Sequence, residues 1–347
     1  MKRKRNTLRA GAIVAIALSV FVGFSMTACS RTIPSGRPGE GLSLSQNGVR
    51  WTVTGFNNPV AEPRIGLFYI PAAEQLIDYM EFVRRTRELV IPDTHGWFPI
   101  TAIGDGAFRD NRMISVVIPN SITSIGYEAF RDNELTSVVI PDSVTSIGEG
   151  AFRGNRLTNI VIPNSITSIE NATFGWNQLT SVVIPDSVTY IGNQAFRSNR
   201  LTSVIIPDSV TSIWHEAFWH NQLTSVVIPD SVTFIGSGAF LGNQLASVVI
   251  PNKVTHIGMQ AFQNNQLTSV VIPNKVTHIG NSAFRDNQLT SIVIPDSVTS
   301  IGRTVFEGNP LTSISIPFDS LAAADAAWGR SDWRNGIPDD VTWVFAP

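Results

Sequence analysis

The sequence predicts a β-rich solenoid of parallel strands, about ten coils of 22 residues each, closed by a cap at either end. Three observations carry that expectation. Phe recurs every 22 residues from Phe108 to Phe306, and an Asn follows each Phe three positions later, from Asn111 to Asn309. Ile recurs at the same spacing from Ile103 to Ile301, and Pro from Pro119 to Pro317. The chain of 347 residues is 43% hydrophobic and only 15% charged. A unit this short cannot bury an apolar face alone, whereas stacked copies bury one continuous core.

In chain order, the first element is a leader. Lys2, Arg3, Lys4 and Arg5 precede an apolar stretch from Gly11 to Phe24. That stretch falls short of the roughly 20 residues of a membrane span and fits the apolar region of a secretory signal. Met26-Thr27-Ala28-Cys29 follows and contains the only cysteine of the chain. This segment resembles a bacterial lipoprotein signal. The resemblance implies removal of residues 1–28, lipidation of Cys29, and a lipid-anchored protein at the outer membrane or cell surface. Each buried acyl CH₂ contributes about 0.8 kcal/mol, so several chains anchor firmly. Residue 30 is Ser rather than Asp, so no retention signal for an inner membrane stands beside the Cys. Residues 29–47, rich in Ser, Gly, Pro and Arg, read as a flexible tether.

Residues 48–102 are expected to form an N-terminal cap and a first irregular coil. Pro71 introduces a helix over Ala72 to Arg84. "LVIPDTHGWFPITAIGDGAF" then reads as a coil with five extra residues in its turn.

Residues 103–317 are the regular array, and Leu135 to Arg156, "LTSVVIPDSVTSIGEGAFRGNR", is one unit. Val138 and Ile140 share one parity, Ser137 and Val139 the other, which predicts a strand with the first pair inward. Pro141 cannot donate a ladder hydrogen bond and ends that strand, and Asp142 completes a turn. "SVTSIG" is a second, shorter extended piece. "EGAFRGN" is a short helical or irregular turn that drops Ala151 and Phe152 into the core. Ten coils paired in parallel give a body about 48 Å long. Phe152, Phe174 and Phe196 then stack as a ladder. Asn155, Asn177 and Asn199 form another, whose amides satisfy backbone groups of the buried turns. Residues 318–347 leave the repeat and predict a C-terminal cap of a short helix and a final strand, with Trp328, Trp333 and Trp343 as its lid.

The column order "LxxVxIPxxVxxIGxxAFxxN" resembles the BspA-type leucine-rich repeat over about residues 89 to 317. The usual unit is one residue longer and often carries Cys where Asn155 stands. The resemblance implies a leucine-rich-repeat solenoid at a bacterial surface, attached to host extracellular-matrix proteins or to other bacteria.

The outward face of the strand is the candidate partner-binding surface: Ser137, Val139, Val161, Ser181, Val183, Ser203, Ile205, Ser225, Val227, Val249 and Val271. Weakly charged and β-branched, it suits the docking of an extended protein surface. Trp176, Trp214 and Trp219 break the repeat near mid-array and form a candidate aromatic hot spot, since Trp is favoured where binding energy concentrates. The alternative reading is an envelope or surface-layer component that self-associates through the same stripe.

Other classes find little support. Without the five basic residues among the first ten, 20 basic side chains face 27 acidic ones, which argues against a nucleic-acid partner. His256 and His278 occupy matching places but lack a third metal ligand. The Asp186, Asp208 and Asp230 row gives way to Asn in other copies. No phosphate loop, zinc spacing or nucleophile elbow is present. The expectation is a binding protein without cofactor or metal, and not an enzyme.

Overall fold

The computed structural model describes residues 51–53, 87–95 and 98–346. The leader, Cys29, the tether and the helix expected at Ala72 to Arg84 lie outside the described residues. Within them the chain winds into a parallel solenoid of about ten 22-residue coils, and one apolar core runs from Leu89 to Val341.

Each coil places two short extended pieces on either side of that core. The more continuous ladder is built from two-residue strands. Seven of them, from Ser168–Ile169 to Ser300–Ile301, pair in parallel as one sheet. Each inward Ile lies opposite its equivalent one coil away, as Ile213 lies opposite Ile235. Toward the N-terminus, Ser124–Ile125 and Ser146–Ile147 continue the stack from Phe98–Ile103. Trp51–Val53 pairs in parallel with Phe98–Ile103, and Thr94–His95 pairs with it antiparallel. That antiparallel pair falls where the first coil is longer than the others.

This differs from the sequence expectation in one respect. The longer segment, "LTSVVIP", has the pattern expected to carry the main sheet. It alternates in burial, yet forms regular ladders only near the ends, at Glu88–Val90 with Ser115–Val117 and at Ser291–Val293 with Ser313–Ile316. Between them stand isolated bridges, Val161 to Val183 and Ile205 to Val227. The cause lies across the coil. On the shorter ladder Gly236 N donates to Ile213 O at 2.8 Å, and Gly280 N to Ile257 O at 2.8 Å. A Cβ on Gly236 would stand 2.6 Å from the Trp214 carbonyl carbon, so a side chain here would push the coils apart. On the longer segment the equivalent bonds stretch: Thr202 N to Thr180 O is 3.4 Å and Ala246 N to Thr224 O is 3.4 Å. The coils are pinched on the glycine side and more open along the valine side.

The C-terminal end is closed by side chains that leave the repeat. Leu321–Trp328 is a helix whose N-cap, Ser320, accepts from Ala323 N at 3.2 Å. Trp328 and Trp333 meet edge to face at 5.0 Å between ring centroids, and Trp333 meets Trp343 at 5.7 Å. The indole N–H groups of Trp328 and Trp333 donate to Val298 O and to Asp325 Oδ1. Thr342–Phe345 pairs in parallel with Ser313–Ile316, adding the last strand on the valine side.

Candidate functional site

The outward stripe follows directly from strand alternation. Val138 is 9% exposed and its neighbour Val139 is 79% exposed. The same place in nine successive coils, from Val117 to Val293, carries a β-branched residue that is 56 to 79% exposed. Ser137, Ser181, Ser203 and Ser225 are exposed beside them. One margin of the stripe is acidic, with Asp142, Asp186, Asp208 and Asp230 exposed on the turns that follow Pro. The residue after each Asp turns back to the backbone of the preceding coil. Ser143 Oγ donates to Ile122 O at 2.7 Å, and Ser187 Oγ to Ile166 O at 2.6 Å. Lys253 and Lys275 replace that Ser in two later coils.

Two interior ladders hold the stripe in register. The Phe rings from Phe108 to Phe306 stack face to face, with Phe152 to Phe174 at 5.9 Å and Phe174 to Phe196 at 5.8 Å between centroids. From Asn133 to Asn309 each buried Asn bridges coils through both ends of its amide. Asn155 Oδ1 accepts from Leu135 N at 3.1 Å, and its Nδ2 donates to Phe130 O at 2.9 Å and Phe152 O at 3.0 Å. Asn177 and Asn199 repeat this pattern with Leu157 and Leu179. A residue needs both an acceptor and a two-proton donor to do this, which only Asn or Gln supplies.

The three tryptophans of the expected hot spot fall into two separate groups. Trp176 and Trp219 belong to a column of alternating cations and rings. The Arg153 guanidinium lies 4.1 Å from the Trp176 ring centroid, and Arg197 lies 5.0 Å from Trp176 and 3.8 Å from Trp219. Glu216 takes an ion pair from Arg197 and a 2.7 Å hydrogen bond from Gln194. Trp176 adopts φ of 55°, at a place where Gly154 and Gly242 stand in other coils. The same left-handed turn recurs at this place in the other coils, with φ of 53° at Asp132, 54° at Ser198 and 52° at His220, so it belongs to the repeat and does not single out Trp176. A shallow pocket of about 500 Å³ opens beside the column, lined in part by Gln178, Arg197, Arg200, Trp219 and His220.

Trp214 sits elsewhere, on the pinched side. It replaces the glycine of that column and packs against Tyr190 at 5.9 Å and Phe234 at 5.7 Å. Its side chain is accommodated by a longer ladder bond, 3.3 Å from Trp214 N to Ile191 O. Sequence reasoning missed Tyr190 and Phe234, although both stand in a column that Ser124, Ser146 and Ser300 occupy in other coils. Further along this row His256 and His278 stack at 4.4 Å. Burial, then the neighbouring His278, holds His256 below the usual imidazole range. Among the described residues no group of three or more His, Cys, Asp or Glu side chains is placed to hold a metal ion. Nor is any helix among them long and apolar enough to cross a membrane.

Comparison with known proteins bears on this geometry. The family described as BspA type leucine-rich repeat region, in six copies, matches residues 101–224 and 211–328, about two-thirds of the chain. Among solved structures, the pneumococcal vaccine antigen PcpA is 20% identical, with a TM-score of 0.54 over 80% of this chain and 79% of that one. A leucine-rich repeat protein from Bacteroides ovatus is 22% identical, with a TM-score of 0.46 over 75% of this chain and 84% of that one. The leucine-rich repeat protein of T. pallidum is 29% identical, with a TM-score of 0.39 over 46% of this chain and 77% of that one. No curated protein is similar enough to match. The likeness to PcpA is one of fold. The family match spans the columns that build the Phe and Asn ladders and the exposed stripe, and the chain belongs to the BspA-type leucine-rich repeat family.

Proposed function

We propose that this chain is a cell-surface protein whose solenoid binds other proteins through its β-branched stripe, in adhesion to host extracellular matrix or to other bacteria. The observation that carries the reading is the stripe itself: nine coils in succession expose a Val or Ile at one place. A solitary soluble protein rarely leaves so long an apolar row in water. A rigid row also suits multivalent binding, in which many weak contacts sum. Family membership and the fold shared with a vaccine antigen support a surface-exposed binding protein. The leader and Cys29 support a lipid anchor, with the tether holding the solenoid away from the membrane. The repeat columns persist from coil to coil, as a scaffold requires. A catalytic centre would interrupt them.

Two experiments test this reading. Protease treatment of intact cells carrying the full chain is expected to remove the solenoid; a fully protected chain would place it inside the envelope and overturn the reading. Equilibrium binding to a panel of purified matrix glycoproteins and to whole bacterial cells is expected to find a partner. Failure against all of them, with sedimentation showing large assemblies of the chain alone, would replace adhesion by self-association as an envelope component.

A further inference from the structure

Charge is distributed unevenly across the stripe. All four arginines between residues 140 and 250, Arg153, Arg156, Arg197 and Arg200, stand at the corner where the chain enters the stripe. The acidic turn residues Asp186 and Asp208 stand where it leaves. Arg156 pairs with Glu134 and Arg197 with Glu216. Among the described residues, Arg153 and Arg200 make no ion pair.

The pocket at this corner also holds unmatched donors. The Nε of Arg197 and the Nε1 of Trp219 are both covered from solvent, and neither meets an acceptor. Leaving such groups unpaired is unfavourable, and an incoming acceptor relieves it. The Arg197 guanidinium is held by rings on both sides and by Glu216, so little ordering is left for a ligand to impose. The exposed His220 ring lies against Trp219 at 5.3 Å, at the rim of the pocket.

From this arrangement we infer that the pocket beside Arg197, Arg200 and Trp219 receives a carboxylate side chain of an acidic polypeptide segment that then runs outward across the stripe. The inference deepens the stripe reading by naming the chemistry of the partner. Arg200 supplies the unpaired charge, and the Trp219 and Arg197 donors supply direction. The remainder of the segment crosses Ser181, Val183, Ser203 and Ile205, which suit an extended peptide. A polyanionic sugar carries charge at regular intervals along its length and would meet Asp186 and Asp208 at the far margin. A peptide can be acidic at one end and basic at the other.

The test is fluorescence anisotropy on the full chain with three probes. One is a labelled peptide with two glutamates, a Val-Thr-Val-Thr core and two lysines. The second has glutamine for glutamate, and the third is an oligomer of glucuronic acid. The glutamate peptide is expected to bind, and the glutamine peptide about tenfold more weakly, the loss of one charge-assisted contact. Arg200→Gln, an exposed substitution that should leave folding intact, is expected to weaken the glutamate peptide by about the same factor and the glutamine peptide hardly at all, because the two changes remove one shared contact. Equal binding of the two peptides, no effect of Arg200→Gln, no binding of any probe, or tighter binding of the glucuronate oligomer would each overturn the inference. Replacing Val183, Ile205 and Val227 with Lys separates it from the stripe reading. If only the pocket reading fails, the two peptides bind alike and both are lost in this variant. If only the stripe reading fails, the variant still prefers the glutamate peptide.

Discussion

The interior ladders and the mid-array corner of the solenoid obey different rules. Inside, Phe and Asn hold their columns without exception from Phe108 to Asn309, because each Asn amide from Asn133 onward answers at least three backbone groups and each ring fills the space above the next. At the corner the Arg column of the repeat gives way to Trp219, and a column otherwise of small or polar residues such as Asp132, Gly154 and Ser198 gives way to Trp176. The comparison teaches where to look for function in a repeat protein. Identity is enforced where a change would orphan buried groups, so departures on the surface are the places free to acquire a binding role.

The largest expected effects break the interior. Asn199→Ala leaves Leu179 N without a partner and takes one of two donors from each of Phe174 O and Phe196 O, which keep Asn177 and Asn221, and should cost about 2–5 kcal/mol. Phe196→Ala opens a cavity between two stacked rings and should cost about 3–5 kcal/mol. Chemical denaturation measures both, and a loss under about 1 kcal/mol for either, less than one ordinary buried hydrogen bond or methylene pair, would show that the ladders do not bind the coils together. A middle-sized effect sharpens the comparison on the pinched side. Gly236→Ala drives a Cβ against backbone and should cost about 1–3 kcal/mol. A neutral outcome in the same assay would mean that the glycine side is not the tight one.

The smallest effect concerns the exposed histidine pair. His256 is held below its ordinary value, so in the window below about 6.5 the unfolded chain binds the proton more readily than the folded one. Stability should therefore fall slightly as pH drops through that window, and His256→Asn should flatten the change. A melting temperature that rises on acidification in the wild type and not in the variant would reverse the sign and contradict the stacked geometry.

Much of the architecture could be read from the chain, since ten repetitions of Phe, Asn, Ile and Pro leave little choice but stacking. The stripe was legible for the same reason, through the alternation of Val138 and Val139. The side that carries the continuous ladder was not. "LTSVVIP" has the longer strand pattern, but the approach of neighbouring coils is decided by the missing Cβ at positions such as Gly236, a property of the packed stack. The split among the tryptophans was hidden too. Trp176 meets Arg197 across 21 residues and Trp214 meets Tyr190 across 24, so neither contact shares the 22-residue period.

The most direct test of the stripe as the working face pairs affinity with stability. The full chain and its Val183→Lys, Ile205→Lys, Val227→Lys triple variant should be melted side by side and titrated against the same matrix protein or cell. Surface changes of this kind cost within about 0.5 kcal/mol each, so the melting curves should nearly coincide while affinity falls by about tenfold or more. Unaltered affinity in a folded triple variant would remove the stripe from the account.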